Sequence, residues 1–374
     1  MEPPITLNSL VLRTVEVSEK TCWIHLIGET HDHYSGIGEA TLNSKQAKVI
    51  AAARDLPPTL SHESWRHLRT TLPWPIGEVL ASALEQIALD IRGQRIGLPV
   101  ASLITASPCW AIPCYANINR GTIDRTPRGF AKRAAAAATA GYKAIKLAPF
   151  DEVWPSDDEQ PRRKAAIDKG LRRVASVVDT LKGKADVQID CHSRFTLKEA
   201  AALIAALVEI GVYWIEEPVA ETPEVIQRLS GLRTIVNRGN ALLAGAENFT
   251  GLEGFRSIID ADAYDVIMPD IRFCGGVQET LRVGEYATAR KVLVSPHNPC
   301  GPVMDATSAH MAASLPKVMS LEHQFAESPL FDDVLLSHHQ IHQGHYTLQQ
   351  TPGLGINWNN EFDQYTEYTI LAVS

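Results

Sequence analysis

From about residue 110 onward, short apolar runs alternate with longer amphipathic or alanine-rich segments, and Gly, Pro or Asp residues separate the two kinds. Short β-branched or apolar runs between turn residues are typical of strands, whereas apolar positions at helical spacing are typical of helices. Seven helix-like segments occupy the intervals between the strands, several opening with a Thr or Asp cap or an early Pro. No clear helix follows the last strand. The eight predicted strands are WAIPCYANI, AIKLAPF, DVQIDCH, VYWIEEPV, ALLAGAEN, YDVIMPDI, KVLVSPHN and VMSLEHQF.

Eight strands that alternate with helices are compatible with a doubly wound open sheet or with a closed barrel, and the periodicity cannot separate these folds. The ends of the strands favour the barrel. Five of them finish with acidic or imidazole side chains, which in a parallel barrel converge on one face around a single pocket. These side chains are Asp190 and His192, Glu216 and Glu217, Glu247, Asp270, and His297.

The chain on either side of this alternation has a different pattern. Residues 1–109 contain runs that alternate like antiparallel strands, followed by helical segments, and predict an α+β domain. Residues 110–340 hold the alternating strands and helices. Residues 341–374 return to short strand and turn signals, and we expect this segment to pack back on the first domain.

Composition narrows the class of protein. The 374 residues carry a net charge of −8, and there is no Lys/Arg-rich run, so neither nucleic acid nor an anionic membrane is an expected partner. No window is long and apolar enough for a membrane span, and the first residues lack a signal-peptide pattern, which predicts a cytoplasmic protein. The six cysteines form no CxxC pair and are expected to be reduced thiols. A symmetric homo-oligomer is the expected assembly.

Three carboxylates end successive strands: Asp190, Glu216 and Glu247. Their mutual repulsion would be costly without a cation between them, and an all-oxygen set suits Mg²⁺ or Mn²⁺. The alternative is three separate acids that cap helices or pair with Arg. Within WIEEP, strand alternation sends Glu216 and Glu217 to opposite sides, and we assign Glu216 to the metal.

Other side chains at the same strand ends are candidates for acid–base chemistry. Asp270 precedes His297 by one strand, so its carboxylate can fix the imidazole tautomer and leave the other nitrogen as a base. Lys146 ends AIKL, where a buried ammonium needs an anionic partner, although its chain could also extend to solvent. Glu322 is either a ligand-facing hydrogen-bond partner or a structural bridge. His31 and His33 lie in a polar loop that is expected to be solvated, but that could cover the pocket.

Taken in order, these motifs resemble the enolase superfamily, and within it the mandelate racemase subgroup and its acid-sugar dehydratases. The resemblance rests on GIGEATL, ALDIRGQRIGLPV, IKLAPF, the three carboxylates, PDIRFCGG, SPHNPCGP and PGLGI. It implies an α+β capping domain on a modified TIM barrel, (β/α)7β. It also implies one Mg²⁺ held by Asp190, Glu216 and Glu247, and an Asp270–His297 dyad.

Two details of the resemblance bear on the reaction. Many relatives carry Lys-x-Lys at the end of the second barrel strand, and the second Lys acts as a base. Here Ala148 replaces that Lys and cannot accept a proton, which argues against a racemase or a cycloisomerase. Galactonate- and mannonate-dehydratase-like members carry Asp-x-His after the third strand, which Asp190 and His192 match.

The implied activity is that of a hydro-lyase: dehydration of an aldonate or aldarate to a 2-keto-3-deoxy acid. His297 would remove the C2 proton and His192 would protonate the departing 3-hydroxyl. Mg²⁺ and Lys146, with Glu322 as a protonated donor, would stabilise the enediolate. A racemase or epimerase that uses His192 or Lys146 as its second base is the alternative enzyme. A metal-stabilised binding or scaffold protein is the alternative without catalysis.

Overall fold

The computed structural model describes residues 3–155, 160–337 and 340–372, which form an antiparallel sheet with its helices and a parallel barrel. The strands are β1 (Ile5–Glu16), β2 (Cys22–Thr30), β3 (Ser35–Glu39), β4 (Thr59–Leu60), β5 (Ala111–Asn117), β6 (Ala144–Leu147), β7 (Asp186–Asp190), β8 (Trp214–Glu216), β9 (Leu242–Gly245), β10 (Val266–Ile267), β11 (Leu293–Val294), β12 (Leu321–Gln324), β13 (Leu335–Ser337), β14 (Gln340–His342), β15 (His345–Thr347), β16 (Asn357–Trp358) and β17 (Thr366–Leu371). The helices are α1 (Gln46–Ala53), α2 (His62–Thr71), α3 (Ile76–Ile96), α4 (Val100–Ile104), α5 (Pro127–Thr139), α6 (Gln160–Leu181), α7 (Leu197–Ile210), α8 (Pro223–Arg238), α9 (Gly251–Asp260), α10 (Val277–Ala289), α11 (Pro302–Ser314) and α12 (Leu330–Asp333).

The eight predicted barrel strands are present as β5 to β12. Strands β5 to β11 pair in sequence order and in parallel, and β12 pairs in parallel with β5. Hydrogen bonds close the ring between β11 and β12: the amide of Met319 donates to the Val294 carbonyl at 2.8 Å, and the Ser295 hydroxyl donates to the Ser320 carbonyl at 2.8 Å. The choice between an open sheet and a barrel is therefore settled in favour of the barrel.

One helix lies between each consecutive pair of barrel strands, from α5 to α11. Their first turns carry the caps expected from the sequence: the hydroxyls of Thr126, Thr196 and Thr222 each accept a backbone amide. Thr196 and Glu199 form a reciprocal capping box. The helix after β12, α12, has four residues. The inner faces of these helices and the outer faces of the strands form the larger hydrophobic core of the protein.

The antiparallel sheet has the order β17-β1-β2-β3, and β4 pairs with the start of β1. Its helix α3 is buried on nearly all sides, because it lies between the sheet and the barrel. Strand β3 approaches α3 so closely that only glycine fits at Gly38, where an added Cβ would lie 2.1 Å from the carbonyl oxygen of Ala83. The glycines of GIGE are thus required by backbone packing.

His25 lies in the middle of β2 and is fully buried beneath this sheet. Its ring contacts the indoles of Trp23 and Trp358, with ring centroids 6.4 and 5.4 Å away, and neither ring nitrogen has a hydrogen-bond partner among the residues that the structure describes. Burial, together with the charge of Arg13, lowers the pKa of His25 to about 3. The imidazole is therefore neutral in the folded protein.

The last part of the chain contacts both sheets. The hairpin of β14 and β15 pairs antiparallel with the start of β5, and so extends the barrel sheet. Strand β17 pairs antiparallel with β1 in the sheet of the first domain. The segment 353–354 contacts α3, where the Leu354 amide donates to Asp90 at 2.9 Å. Within the described residues, no helix has the length and apolar character needed to cross a membrane.

Candidate active site

Polar side chains meet where the parallel strands of the barrel end. In the strand register Asp190 of β7 pairs with Glu216 of β8, which in turn pairs with Ala244 of β9, three residues before Glu247. Lys146 and Glu322 lie on β6 and β12, on either side of β5 in the ring. Parallel alignment therefore brings these side chains to one end of the barrel.

Several of these strands end in left-handed turns formed by residues other than glycine. His192, Glu217 and Ala246 have φ values of 49°, 38° and 73°, and they follow β7, β8 and β9 respectively. Such conformations are uncommon for these residue types and cluster at functional sites. The turns redirect the chain as soon as each strand ends.

The turn after β7 brings the side chains of Asp190 and His192 together. The strand ends at Asp190, whose Oδ1 accepts the His192 amide at 2.8 Å. The imidazole then returns so that Nε2 lies 2.7 Å from Asp190 Oδ2. The two side chains are in contact because of the turn. The Asp190 carboxylate raises the pKa of His192 and so favours its protonated form, and 44% of this side chain is exposed.

Each of the three candidate metal ligands contacts a basic side chain in this structure. Asp190 contacts His192, Glu216 lies 2.8 Å from Lys146 Nζ, and Glu247 lies 3.1 Å from His297 Nε2. No three His, Cys, Asp or Glu side chains of the described residues are grouped as a metal centre. The donors themselves suit a hard divalent cation, because all three are carboxylates on adjacent strands. The residues therefore fit such an ion, which would compete with the basic side chains for the three carboxylates.

An excess of buried acid surrounds these ligands. Burial raises the pKa of Glu216, and the neighbouring carboxylates of Asp190, Glu322 and Glu247 raise it further. Glu217 is also buried. Burial, followed by the charges of Glu247 and other acids, raises the pKa of Glu217 well above its ordinary value. A cation at this end of the barrel would relieve this repulsion.

Lys146 lies between two carboxylates in the barrel interior. Its Nζ is 2.8 Å from Glu216 Oε1 and 3.3 Å from Glu322 Oε1, and it lies 5.1 Å from the centre of the Tyr115 ring. Burial acts to lower the pKa of Lys146, but the two carboxylates outweigh it and raise this pKa well above its ordinary value. The two carboxylates therefore favour the ammonium form of Lys146, which donates hydrogen bonds to them.

The surroundings of Glu322 favour its ionised form over the protonated donor expected from the sequence. Its Oε1 accepts from Asn117 Nδ2 at 2.6 Å and from Gln324 Nε2 at 3.1 Å, while Oε2 accepts from the Asn298 amide at 3.0 Å. Burial acts to raise the pKa of Glu322, but Lys146, His297 and these donors outweigh it and hold the pKa well below its ordinary value. The ionised form is thus favoured, since its neighbours are donors.

Asp270 and His297, which follow β10 and β11, form a hydrogen bond of 2.9 Å between Oδ2 and Nδ1. Asp270 also receives a buried ion pair from Arg272, which overcomes the effect of burial and lowers the Asp270 pKa to about 2. Burial acts to lower the pKa of His297, but the carboxylates of Glu247 and Glu322 outweigh it and raise this pKa to about 9. His297 is thus oriented through Nδ1, with Nε2 toward the acids.

The loop of His31 and His33 is exposed, as expected from the sequence. Asp32, between them, forms an ion pair with Arg95 of helix α3 at 2.7 Å. This ion pair joins the loop to α3.

Sequence reasoning did not single out several residues that contact the site. Arg272 holds Asp270, Trp214 Nε1 donates to Glu216 Oε2 at 3.0 Å, and Asn117 and Asn298 donate to Glu322. Arg272 is two residues after Asp270 in PDIRFCGG, so the motif alone indicates that the two side chains lie close together. Trp214 is two residues before Glu216 on the same face of β8, a relation that strand periodicity also supplies.

Known proteins share this architecture. The chain is 27% identical over 288 residues to D-xylonate dehydratase of Haloferax volcanii, which is 75% of this chain and 68% of that protein. It is 27% identical over 368 residues to D-galactonate dehydratase of Variovorax paradoxus, covering 94% and 92% of the two chains. Two structures titled mandelate racemase/muconate lactonizing enzyme share the fold. The one from Jannaschia sp. has a TM-score of 0.81 at 21% identity, with 95% and 96% of the chains covered. The one from Sulfitobacter sp. has 0.82 at 22%, with 95% and 93% covered.

The family model described as Enolase C-terminal domain-like matches residues 129–362, which include most of the barrel and the acidic, lysine and histidine side chains at its strand ends: Lys146, Asp190, His192, Glu216, Glu247, Asp270, His297 and Glu322. This match agrees with the resemblance found in the motifs. The protein therefore belongs to the Enolase C-terminal domain-like family.

Proposed function

We propose that this protein is a Mg²⁺-dependent dehydratase of an acid sugar, an aldonate or aldarate, that removes the C2 proton and the C3 hydroxyl to give a 2-keto-3-deoxy acid. The observation that carries the proposal is the presence of two carboxylate-held imidazoles, His192 on Asp190 and His297 on Asp270, at one end of the barrel. Elimination of water needs one acid and one base. The names of the relatives, D-xylonate and D-galactonate dehydratase, support the same class of reaction.

Membership of the family implies a divalent metal ion, and we assign it to Asp190, Glu216 and Glu247 as Mg²⁺. The ion would supply positive charge next to the substrate carboxylate, where negative charge develops during proton removal. The all-oxygen ligands and the excess of buried acid support this assignment.

His297 is the proposed base for the C2 proton. Nδ1 is held by Asp270, so Nε2 is the nitrogen available to the substrate. In this structure Nε2 instead contacts Glu247 at 3.1 Å, and that carboxylate is the largest cause that raises the His297 pKa. With Glu247 committed to a cation, Nε2 loses this acidic partner and the neutral imidazole is favoured.

Lys146 is the proposed donor to the carboxylate of the enediolate. Lys146 Nζ lies 2.8 Å from Glu216 Oε1 and 3.3 Å from Glu322 Oε1. Its ammonium group can also donate a hydrogen bond to a substrate oxygen without a change in charge. Lys146 lies between Glu216 and Glu322, which favour its ammonium form, whereas the second base of a racemase has to be neutral before it accepts a proton. Glu322 then acts as an ionised partner that orients Lys146.

His192 is the proposed acid for the departing 3-hydroxyl. His192 lies 2.7 Å from Asp190 at this end of the barrel, and 44% of its side chain is exposed, which leaves room for a ligand. A protonated imidazole next to a leaving oxygen is the arrangement that general acid catalysis requires.

The test is a screen of the protein with Mg²⁺ against a library of aldonates and aldarates in D₂O, with keto-acid formation and deuterium at C2 measured together. Dehydration predicts 2-keto acid from at least one member. Exchange at C2 with inversion and without keto acid would instead identify an epimerase, and absence of both would refute the proposal.

A further inference from the structure

The end of strand β3 and the residues after it, Glu39 to Thr41, contact the barrel at the loops that carry His297 and Asp270. We call these three residues the 39–41 segment. They belong to GIGEATL in the first domain, and both Glu39 and Thr41 are fully buried. Nothing in the acid–base chemistry proposed above uses them.

Glu39 holds the loop of His297. Its Oε1 accepts the Gly301 amide at 2.7 Å and its Oε2 accepts the Met304 amide at 2.9 Å. The Thr41 hydroxyl donates to the same carboxylate at 2.6 Å and fixes its orientation. Gly301 precedes helix α11, so Glu39 acts as a carboxylate cap supplied by another domain. Only residues 298–300 separate His297 from Gly301.

Thr41 holds the other half of the dyad through Arg272. Arg272 Nε lies 3.0 and 3.1 Å from the two oxygens of Asp270, and its Nη1 donates to the Thr41 carbonyl at 3.0 Å. Asp270 Oδ2 in turn lies 2.9 Å from His297 Nδ1. A backbone carbonyl of the first domain thereby fixes the guanidinium, which fixes the carboxylate, which fixes the imidazole. Arg272 is buried, so water does not compete for these contacts.

The 39–41 segment has little freedom to move. Immediately before it, Gly38 lies so close to α3 that no side chain fits, and the Glu39 amide donates to Gln86 Oε1 of α3 at 2.9 Å. A rigid support of this kind matters for a base, because a displacement of about 1 Å can cost about 10²-fold in rate.

We propose that the 39–41 segment positions the catalytic base: Arg272 and Glu39 are positioning residues that align His297 from its two sides, so the first domain contributes to proton removal as well as covering the site. The inference rests on the proposed role of His297. It is tested with a structural measurement that does not depend on turnover and with a kinetic one that does.

Arg272→Met and Arg272→Lys are the variants, and Arg69→Met is the matched control. Arg69 also joins the first domain to a barrel loop, through a 2.7 Å bond to the Gly275 carbonyl and an ion pair with Glu78, but it does not contact the dyad. We expect both Arg272 variants to lose about 10²-fold in the rate of C2 deuterium exchange at unchanged KM. Their crystal structures should show the Nδ1–Oδ2 bond of His297 and Asp270 broken. Arg69→Met should keep the wild-type exchange rate and the Nδ1–Oδ2 bond. Guanidinium added to Arg272→Met should restore part of the exchange, which a merely structural role would not produce.

Glu39→Gln provides a second, independent variant, and Glu85→Gln is its control. Glu85 is likewise a buried carboxylate of the first domain that caps a barrel helix, through the amides of Val277 and Gln278. We expect Glu39→Gln to slow exchange more than Glu85→Gln at equal thermal stability. An intact His297–Asp270 bond in the variant crystals, or equal exchange rates in variants and controls, would overturn the inference. Absence of exchange in the wild type would refute the proposed function, and the crystal structures would still decide the positioning role.

Discussion

The buried imidazole of His25 makes the stability of the protein depend on pH in a way that can be calculated. The pKa of His25 is about 3 in the folded protein, against an ordinary value of 6.5. The unfolded chain therefore binds a proton near pH 6.5 that the folded chain does not bind until about pH 3. Folding stability from this residue is complete above pH 6.5, and is lost as the pH falls from 6.5 toward 3.

The size of the effect follows from the same two pKa values. One pKa unit corresponds to about 1.4 kcal/mol, so lowering the pH from about 7.5 to about 5 should cost about 2 kcal/mol of unfolding free energy through His25 alone. His25→Phe retains an aromatic ring between Trp23 and Trp358 but cannot be protonated. The variant should therefore lose about 2 kcal/mol less than the wild type over this interval.

The assay is urea unfolding at both pH values, followed by tryptophan fluorescence, to which Trp23 and Trp358 beside the substituted ring contribute. Comparing the change between pH values in the two proteins removes the contribution of every other titrating group. His67→Phe is the control, because His67 is exposed on α2 and should leave the wild-type pH dependence unchanged. If His25→Phe and the wild type lose the same free energy, His25 does not remain neutral in the folded protein, and the reasoning from its burial is wrong.

Further predictions concern the site and the support of β3. His192→Asn should lower keto-acid formation by about 10² to 10⁴-fold while C2 exchange, followed by NMR, continues; equal loss of both would exclude the acid role. Lys146→Met should reduce exchange and dehydration together by at least about 10²-fold, because the enediolate loses its donor; a change in KM alone would contradict this. Chelation with EDTA should abolish turnover and Mg²⁺ should restore it, whereas activity that survives dialysis against EDTA would argue against the metal. Gly38→Ala should destabilise the fold by about 1 to 3 kcal/mol in urea unfolding, because its Cβ would overlap the Ala83 carbonyl.

The barrel strands and the location of the site could be predicted from the sequence, because both follow from periodic patterns. Strand alternation and turn residues identified the eight barrel strands, and the acids at the strand ends located the site because parallel strands end on one face. The contact between Asp270 and His297 follows from the same rule, since their strands are neighbours in the barrel.

Contacts that leave no periodic pattern in the sequence could not be predicted. Thr41 and Arg272 are 231 residues apart, and their hydrogen bond joins a backbone carbonyl to a side chain, which leaves no trace in residue type at Thr41. The left-handed turn at His192 could not be inferred, because nothing in the local sequence requires it. The donors that favour an ionised Glu322 could not be inferred either, because Asn117, Gln324 and the Asn298 amide are brought to this carboxylate only by the fold.

The pairing of β1 with β17 bears on the order in which the protein folds during synthesis. Arg13 and Glu367 form an ion pair across these strands although they are 354 residues apart in the chain. On the ribosome, β1 emerges first but must wait for its edge partner until the whole barrel has been made. During that interval one edge of the first sheet exposes unpaired backbone groups, which can pair with another nascent chain. Until β17 is added, β1 lacks the strand that covers this edge in the finished protein.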